Sequence, residues 1–287
     1  MVDMSRRLPA VAGAFYPASK ESLLREIERC FLHPLGPGRL PEKPGGGTLP
    51  PFLIAPHAGY MYSGPVAAHS YLQLGGRAAP ETVVVLGPNH YGVGTPVSVY
   101  PEGEWVTPLG TVKIDSELAL KLADISDIFS LDEISHTKEH SVEVQLPFLQ
   151  YVLGEGFKFL PISVLDQGMA TCIEVGKALA EAAEKRRLLL VASSDFTHYE
   201  PEESAREKDY MALERIRRLD IKGLYETIQR YSISMCGYGP VAAVLEAARR
   251  LGAGEAEVLK YATSGDVTGD RDAVVGYAAV KLEIQAK

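Results

Sequence analysis

Short apolar runs alternate with stretches of helical periodicity along most of the chain. The runs that predict strands are PFLIA (51–55), TVVVL (82–86), FLPISVL (159–165), LLLVA (188–192), EVLKYA (257–262) and AVVGYAAVKLEI (273–284). Continuously apolar strands, unlike alternating ones, indicate a sheet that is covered on both faces. Between residues 96 and 115 the pattern instead predicts an antiparallel ribbon.

Helical periodicity follows most of these runs. The predicted helices cover residues 20–32, 65–74, 116–123, 141–153, 169–186, 201–218, 221–230 and 240–251. Strand–helix alternation is typical of βαβ units with a parallel sheet. We therefore expect one α/β domain over residues 1–287, with a central, largely parallel mixed sheet flanked by helices. The Pro- and Gly-rich segment 34–51 is expected to be a loop within that domain, since it comes too early to link two domains.

Composition and charge narrow the possible functions. The 287 residues carry 29 Lys+Arg against 37 Asp+Glu, a net charge of −8, and no basic block. Nucleic acid and anionic membrane are therefore poor partners. Three well-separated cysteines suit a reducing compartment. We find neither a signal-peptide pattern nor an apolar run approaching about 18 residues, and we expect a cytoplasmic protein whose acidic surface permits a homodimer. A chain of this size folds without a metal, so any metal site is expected to be functional.

Three of the apolar strands run into histidine-containing loops. The loops are Pro-His57-Ala-Gly-Tyr, Gly-Pro-Asn-His90-Tyr-Gly and Ser-Ser-Asp-Phe-Thr-His198-Tyr. Ligand sites of open α/β sheets form at the carboxyl ends of the strands. We therefore expect His57, His90 and His198 to converge on a metal or acid–base site.

Three further features indicate candidate chemistry. Cys236 lies in Ser-Met-Cys-Gly-Tyr-Gly-Pro, just ahead of a predicted helix, and a helix N-terminus favours the thiolate form. Asp195 precedes His198 by three residues, and its carboxylate is expected either to hold the imidazole or to cap the following helix. The segment 132–147 is rich in histidine and carboxylates, so Glu139, His140 and Glu143 either line the pocket or form a solvated helix start.

There is no GxxxxGK[ST], no GxGxxG after a strand and no GxSxG, which disfavours nucleotide hydrolysis, dinucleotide binding and α/β-hydrolase chemistry.

With these residues assembled, the chain resembles the Memo family, the protein-B component of the AmmeMemoRadiSam set. The resemblance runs from Arg7 to Ala278 and rests on PHAGY (56–60) with YSG (62–64), LGPNHYG (86–92), EHSVEVQLPFLQ (139–150), SSDFTHY (193–199), CGYGP (236–240) and TSGD (263–266). It implies the fold of class III non-haem-iron extradiol dioxygenases. It also implies a functional link with radical-SAM and AMMECR-type proteins.

The resemblance assigns roles to individual residues. His57, His90 and Cys236 match the metal ligands, and His198 matches the catalytic base, with Asp195 beside it. The dioxygenases use a carboxylate as the third ligand, and a thiolate in its place extends the metal preference from Fe(II) toward copper or zinc.

Three functions remain open at this point. The first is a metal-dependent redox enzyme, with Fe(II) favoured and an unknown small substrate contacted by Tyr60, Tyr91, Tyr199 and His140. The second is a metal-free thiol enzyme with Cys236 as nucleophile, His198 as base and Asp195 as orienting group. The third is a non-catalytic protein that binds a metal, a peptide or a phosphorylated ligand in the same pocket.

Overall fold

The computed structural model describes residues 6–285. In this part of the chain the strands are β1 (Arg6–Arg7), β2 (Phe52–Ala55), β3 (Thr82–Pro88), β4 (Val97–Val99), β5 (Glu104–Thr107), β6 (Gly110–Lys113), β7 (Ser130–Leu131), β8 (Lys158–Val164), β9 (Leu188–Ser193), β10 (His198–Glu200), β11 (Glu257–Thr263) and β12 (Val274–Leu282). The helices are α1 (Lys20–Leu32), α2 (Tyr60–Leu72), α3 (Ser116–Ile125), α4 (Leu146–Leu153), α5 (Met169–Ala183), α6 (Glu202–Arg217), α7 (Ile221–Tyr231), α8 (Tyr238–Arg250) and α9 (Gly265–Thr268). Two 3₁₀ turns lie at Ile134–His136 and Glu143–Gln145.

A nine-stranded sheet organises the molecule. Its order is β10-β12-β2-β9-β3-β8-β4-β7, with β11 paired to β12. The four central strands β2, β9, β3 and β8 are parallel, whereas β12 and β4 join them antiparallel on either side. Strands β1, β5 and β6 form a separate small sheet. The predicted α/β fold with a largely parallel mixed sheet is therefore confirmed.

Three of the four central strands are buried along their whole length, as their continuous apolar runs predicted, and β8 is buried from its second residue on. Every residue of β2, β3 and β9 is buried. Helix α8 packs against α5, β9 and β3, while α2 packs against α1, β12 and β2. No helix in the described range is long and apolar enough to cross a bilayer.

Local sequence determines several helix boundaries through side-chain caps. Ser19, Asp115 and Asp220 each accept a hydrogen bond from a backbone N–H in the first turn of the following helix. Helix α1 covers the predicted range, and the segment between Leu32 and Phe52 contains neither helix nor strand, as expected of the Pro- and Gly-rich loop.

Tertiary contacts shift other boundaries. Helix α2 begins at Tyr60, five residues before the predicted start, and Pro65 lies inside it. The Tyr60 N–H donates to the carbonyl of Phe15 at 2.8 Å, and the Ser63 hydroxyl donates to the carbonyl of Ala58 at 2.8 Å. A partner from the N-terminal segment thus stabilises a helix start that the local sequence does not mark.

Two further differences concern strand pairing and a helix start. β5 and β6 form the predicted antiparallel ribbon, but β4 joins the main sheet beside β8. The helix predicted over 141–153 becomes regular only at Leu146, since the preceding residues form a 3₁₀ turn whose side chains bond to other segments.

Candidate functional site

Three adjacent parallel strands bring the histidine loops together. β9 lies between β2 and β3, so the loops that follow these strands emerge side by side. His57 follows β2 and His90 follows β3, and their ring centroids lie 5.3 Å apart. The two imidazoles meet because parallel strands have their carboxyl ends at the same edge of the sheet.

A third histidine joins them from the segment before α4. The ring centroids of His140 and His90 are 4.6 Å apart, and those of His140 and His57 are 5.5 Å apart. One ring nitrogen from each of the three lies within 4.8 Å of the others, which is close enough to hold a metal ion. We refer to His57, His90 and His140 as the imidazole cluster. His140 therefore lies among the candidate ligands, although its sequence position suggested substrate contact.

Glu139 fixes the orientation of His90. Its carboxylate accepts the backbone N–H of His90 at 2.7 Å and the ring Nδ1–H at 2.9 Å. Burial opposes ionisation of Glu139, but these bonds and the N–H of Ser141 outweigh it and lower the pKa to about 2. Because a carboxylate only accepts, Nδ1 of His90 carries a proton, and in the neutral imidazole Nε2 is then the nitrogen left to bind a metal, as in metal-binding histidines.

Two imidazoles of the cluster, those of His57 and His140, are held neutral. Burial and the neighbouring imidazoles of His140, His90 and His198 lower the pKa of His57 well below its usual value. Burial also lowers the pKa of His140 to about 4, although Glu139 acts in the opposite direction. Neutral imidazole is the form that binds metals.

Cys236 contacts the cluster from the loop before α8. Its Sγ lies 3.2 Å from His57 Nε2 and accepts the backbone N–H of Asp195 at 3.2 Å. A Cβ on Gly237 would overlap the carbonyl oxygen of Ser193, so the glycine permits this close approach of the loop to β9. Burial and the nearby Asp195 carboxylate raise the pKa of the Cys236 thiol. The thiolate expected from the helix N-terminus is therefore not favoured without a metal, which also disfavours the metal-free thiol enzyme.

The predicted contact between Asp195 and His198 is wrong. His198 Nδ1 lies 2.9 Å from the carbonyl oxygen of Ser234, and its backbone N–H donates to the Ser234 hydroxyl at 2.7 Å. The Asp195 carboxylate instead accepts the backbone N–H of His57 at 2.8 Å, and burial raises its pKa to about 6. His198 begins β10, where its backbone pairs with Val275 of β12. Ser234, rather than Asp195, therefore orients its ring.

The three tyrosines that were expected to contact substrate have different environments. Tyr60 is buried in the core and its hydroxyl donates to the carbonyl of Val144 at 2.6 Å, so this expectation is corrected. Tyr91 and Tyr199 are exposed, at 49% and 77%. Tyr199 adopts a left-handed conformation with φ 57°, which is uncommon for a residue other than glycine. Substrate contact stays a prediction for Tyr91 and Tyr199.

Comparisons with known proteins bear on the whole chain. The model of the family described as "Memo-like protein" matches residues 7–281. The chain belongs to this family. A MEMO1 family protein of Methanopyrus kandleri is 53% identical over 276 residues, covering 96% of this chain and 98% of the relative. A MEMO1 family protein of Methanothermobacter thermautotrophicus is 51% identical over 274 residues, covering 95% and 98%.

A solved structure shares the fold of this Memo-like protein. It is that of an uncharacterized protein, JW3007, from Escherichia coli K12, with a TM-score of 0.53 and 16% identity, covering 80% of this chain and 98% of that chain. At this identity the likeness concerns the fold alone.

Several residues that support the site were not singled out as functional from the sequence. Ser193 and Gln145 contact each other at 2.7 Å beneath His57, and Ser234 holds His198. Glu143, which was considered for the pocket wall, instead pairs with Arg7 at 2.6 Å. The only sequence indication for Ser193 and Gln145 is that they lie inside the SSDFTHY and EHSVEVQ motifs.

Asp209 of α6 anchors the loop that carries His198. Its carboxylate accepts the N–H of Thr197 at 2.9 Å, the Thr197 hydroxyl at 2.6 Å and the Tyr261 hydroxyl at 2.7 Å. Gly276 of β12 faces this carboxylate, and a Cβ at that position would overlap Asp209 Oδ2. Asp209 is fully buried and Gly276 is a buried position of β12, so neither residue moves away easily.

Gly276→Ala should therefore lower the free energy of unfolding by about 1–3 kcal/mol, the usual cost of overpacking. Urea denaturation measures the change. Gly254→Ala is the matched control, because a Cβ there meets no heavy atom within 4 Å, and it should change stability by less than about 0.5 kcal/mol. Equal effects of the two substitutions would show that the Asp209 contact does not restrict this position.

Proposed function

We propose that this Memo-like protein binds one divalent metal ion through the imidazole cluster and Cys236 and uses it for redox chemistry on a small molecule. Fe(II) is the favoured metal, with His57, His90 and Cys236 as the principal ligands and His140 beside them. The observation that carries the proposal is the convergence of three imidazole nitrogens within 4.8 Å, with Cys236 Sγ 3.2 Å from His57 Nε2.

The chemistry of the donor set fits a metal of this class. Imidazole nitrogen suits iron, copper and zinc, and a thiolate adds a soft anionic ligand. The raised pKa of Cys236 is compatible with this role, because a bound metal replaces the thiol proton, and metal binding by cysteine releases protons. The metal would supply the electron transfer or the activation of a bound substrate.

His198 is proposed to move a proton to or from the substrate. Its Nδ1–H is directed to the carbonyl of Ser234, which leaves Nε2 free to accept a proton. Its partner Ser234 lies two residues before Cys236, which connects the His198 loop to the loop of a proposed metal ligand. An imidazole with one ring nitrogen held by a carbonyl and the other able to accept suits general acid–base catalysis.

We further infer a cytoplasmic protein that works alongside radical-SAM and AMMECR-type proteins. The support for this partnership is the family resemblance. The net charge of −8 disfavours nucleic acid as a partner.

The proposed function predicts near-stoichiometric metal in protein purified anaerobically without added metal. Iron, copper and zinc per chain are measured by inductively coupled plasma mass spectrometry in the wild type and in Cys236→Ser. Because Cys236 is a proposed ligand, its replacement should reduce the metal content more than 10-fold. Mutating a residue that only hydrogen-bonds to a ligand already lowers metal affinity by about 10- to 100-fold.

Cys30→Ser is the control, since Cys30 is buried between α1 and α2 and is not part of the imidazole cluster. It should retain wild-type metal. Metal content that is the same in Cys236→Ser would exclude the thiol as a ligand. A wild type that takes up no metal on reconstitution would overturn the proposed function, and peptide binding in the same pocket would then be the function to test.

A further inference from the structure

We propose that Ser193 is a positioning residue that fixes the tautomer of His57, holding the ring proton on Nδ1 and leaving Nε2 unprotonated toward Cys236. The tautomer follows from the hydrogen bonds of the chain alone. Its consequence for metal binding rests on the proposed function.

The hydroxyl of Ser193 has one proton and two lone pairs to distribute among three neighbours. The carbonyl oxygen of Ser141 lies 2.6 Å away and can only accept, so it takes the proton. The side-chain amide of Gln145 lies 2.7 Å away and donates to one lone pair. A single lone pair therefore remains for His57 Nδ1 at 2.9 Å, which requires a proton on that nitrogen.

The orientation of the Gln145 amide is itself determined. Its Nε2 also lies 2.9 Å from the carbonyl oxygen of Pro56, and its Oε1 accepts the hydroxyl of Tyr71. A reversed amide would direct its oxygen at the carbonyl of Pro56, where neither group can donate, and would compete with the Ser141 carbonyl for the single proton of Ser193. The donor and acceptor roles along Tyr71, Gln145 and Ser193 are therefore consistent in one direction only.

The chain is protected from water. Tyr71, Ser141 and Ser193 are fully buried, and Gln145 and His57 are exposed by no more than 2%. In such surroundings an unsatisfied donor or acceptor is costly, so the alternative tautomer has no solvent to compensate it. With the proton on Nε2, the remaining lone pair of the Ser193 hydroxyl would face the lone pair of His57 Nδ1.

The fixed tautomer prepares His57 to bind a metal. With Nδ1 protonated, the S–H of Cys236 donates to Nε2 across 3.2 Å, and that proton occupies the position between the two proposed ligand atoms. The opposite tautomer would place an N–H on the atom that has to bind the metal. His90 is oriented by the carboxylate of Glu139, whereas His57 is oriented by a neutral hydroxyl, so the two rings reach the same tautomer through different partners.

The test is the tautomer of His57 in the metal-free protein. Long-range ¹H–¹⁵N spectra of histidine-labelled protein distinguish a protonated Nδ1 from a protonated Nε2, and His57→Gln assigns the resonance. The wild type should show protonated Nδ1. Ser193→Ala removes the acceptor and should shift the population toward protonated Nε2, whereas Ser193→Thr keeps the hydroxyl and should restore the wild-type spectrum.

Zn²⁺ affinity, measured by competition with a chelator, provides the second readout. Ser193→Ala should weaken it by about 10- to 100-fold, the effect expected of a partner that orients a ligand. Ser163→Ala is the matched control: Ser163 is equally buried in β8, and its hydroxyl has no hydrogen-bond partner among the described residues. It should leave both the spectrum and the affinity unchanged.

A wild-type spectrum with protonated Nε2, or a Ser193→Ala spectrum identical to the wild type, would overturn the inference even if the protein binds metal. Protonated Nδ1 that depends on Ser193, in a protein that binds no metal, would support the positioning role and overturn the proposed function instead.

Discussion

His57→Ala will abolish metal binding, whereas His198→Ala will keep the metal and lose turnover. His57 is the member of the imidazole cluster that also contacts Cys236, at 3.2 Å, and its backbone N–H is held by Asp195. Removing the ring deletes a proposed ligand and leaves the thiol without its imidazole partner. His198 is bonded to Ser234 and is proposed only to transfer protons.

His57→Ala should weaken metal binding by more than about 100-fold, the upper limit of the effect of mutating a residue that only orients a ligand. In His198→Ala, the metal content should stay at the wild-type value while turnover falls by about 10²–10⁴-fold, the usual contribution of an acid–base group. Metal content by mass spectrometry and Zn²⁺ titration measure the first effect, and single-substrate kinetics on metal-loaded protein measures the second.

His69→Ala is the control for both, because His69 lies on α2 and bonds to the carbonyl of Leu35 outside the cluster. It should keep metal and activity. Equal metal loss in His57→Ala and His198→Ala would contradict the separation of roles and would make His198 a ligand.

Arg7→Ala should be strongly destabilising. Arg7 and Glu143 form an ion pair of 2.6 Å in which both side chains are at least 96% buried, and the guanidinium lies 4.0 Å from the centroid of the Trp105 ring. Without Arg7, the Glu143 carboxylate is left buried without its cation. Breaking a buried pair from one side typically costs about 3–5 kcal/mol.

Urea denaturation measures this loss, and Lys177→Ala is the control. Lys177 pairs with Glu174 on the surface of α5, where both side chains are more than 40% exposed, and its removal should cost a small fraction of the Arg7 effect. The double variant Arg7→Met with Glu143→Gln should recover part of the stability, since it removes both charges. A loss below about 1 kcal/mol in Arg7→Ala would mean that water or another group compensates Glu143.

The same substitution also tests the link between the N-terminal segment and the site. Arg7 donates to the backbone carbonyls of His136 and Glu139, each at 2.8 Å, and so holds the segment that contains Glu139 and His140. Weaker metal binding in folded Arg7→Ala is therefore expected alongside the loss of stability.

Much of the fold could be predicted because the patterns are local. Helix α1 has an apolar face and a serine cap within its own sequence, and the buried strands β3 and β9 are continuously apolar. Helix α2 was predicted to start too late because its first turn is satisfied by Phe15, a residue 45 positions away in the chain. Boundaries of that kind depend on contacts that no local pattern contains.

The same distinction between local patterns and tertiary contacts applies to the site. The sequence by itself determined that His57, His90 and the loop from Asp195 to His198 follow buried strands, and parallel strand order then places these three loops at one edge of the sheet. Only the tertiary structure brought His140 into the cluster.

The proton positions also depended on the tertiary structure. It assigned the orientation of His198 to Ser234, and it raised the pKa of the Cys236 thiol, which the helix position alone predicted to be lowered. The physical reason is that a strand end is set by the hydrophobic pattern, whereas a proton is located by burial and by hydrogen-bond partners from distant segments.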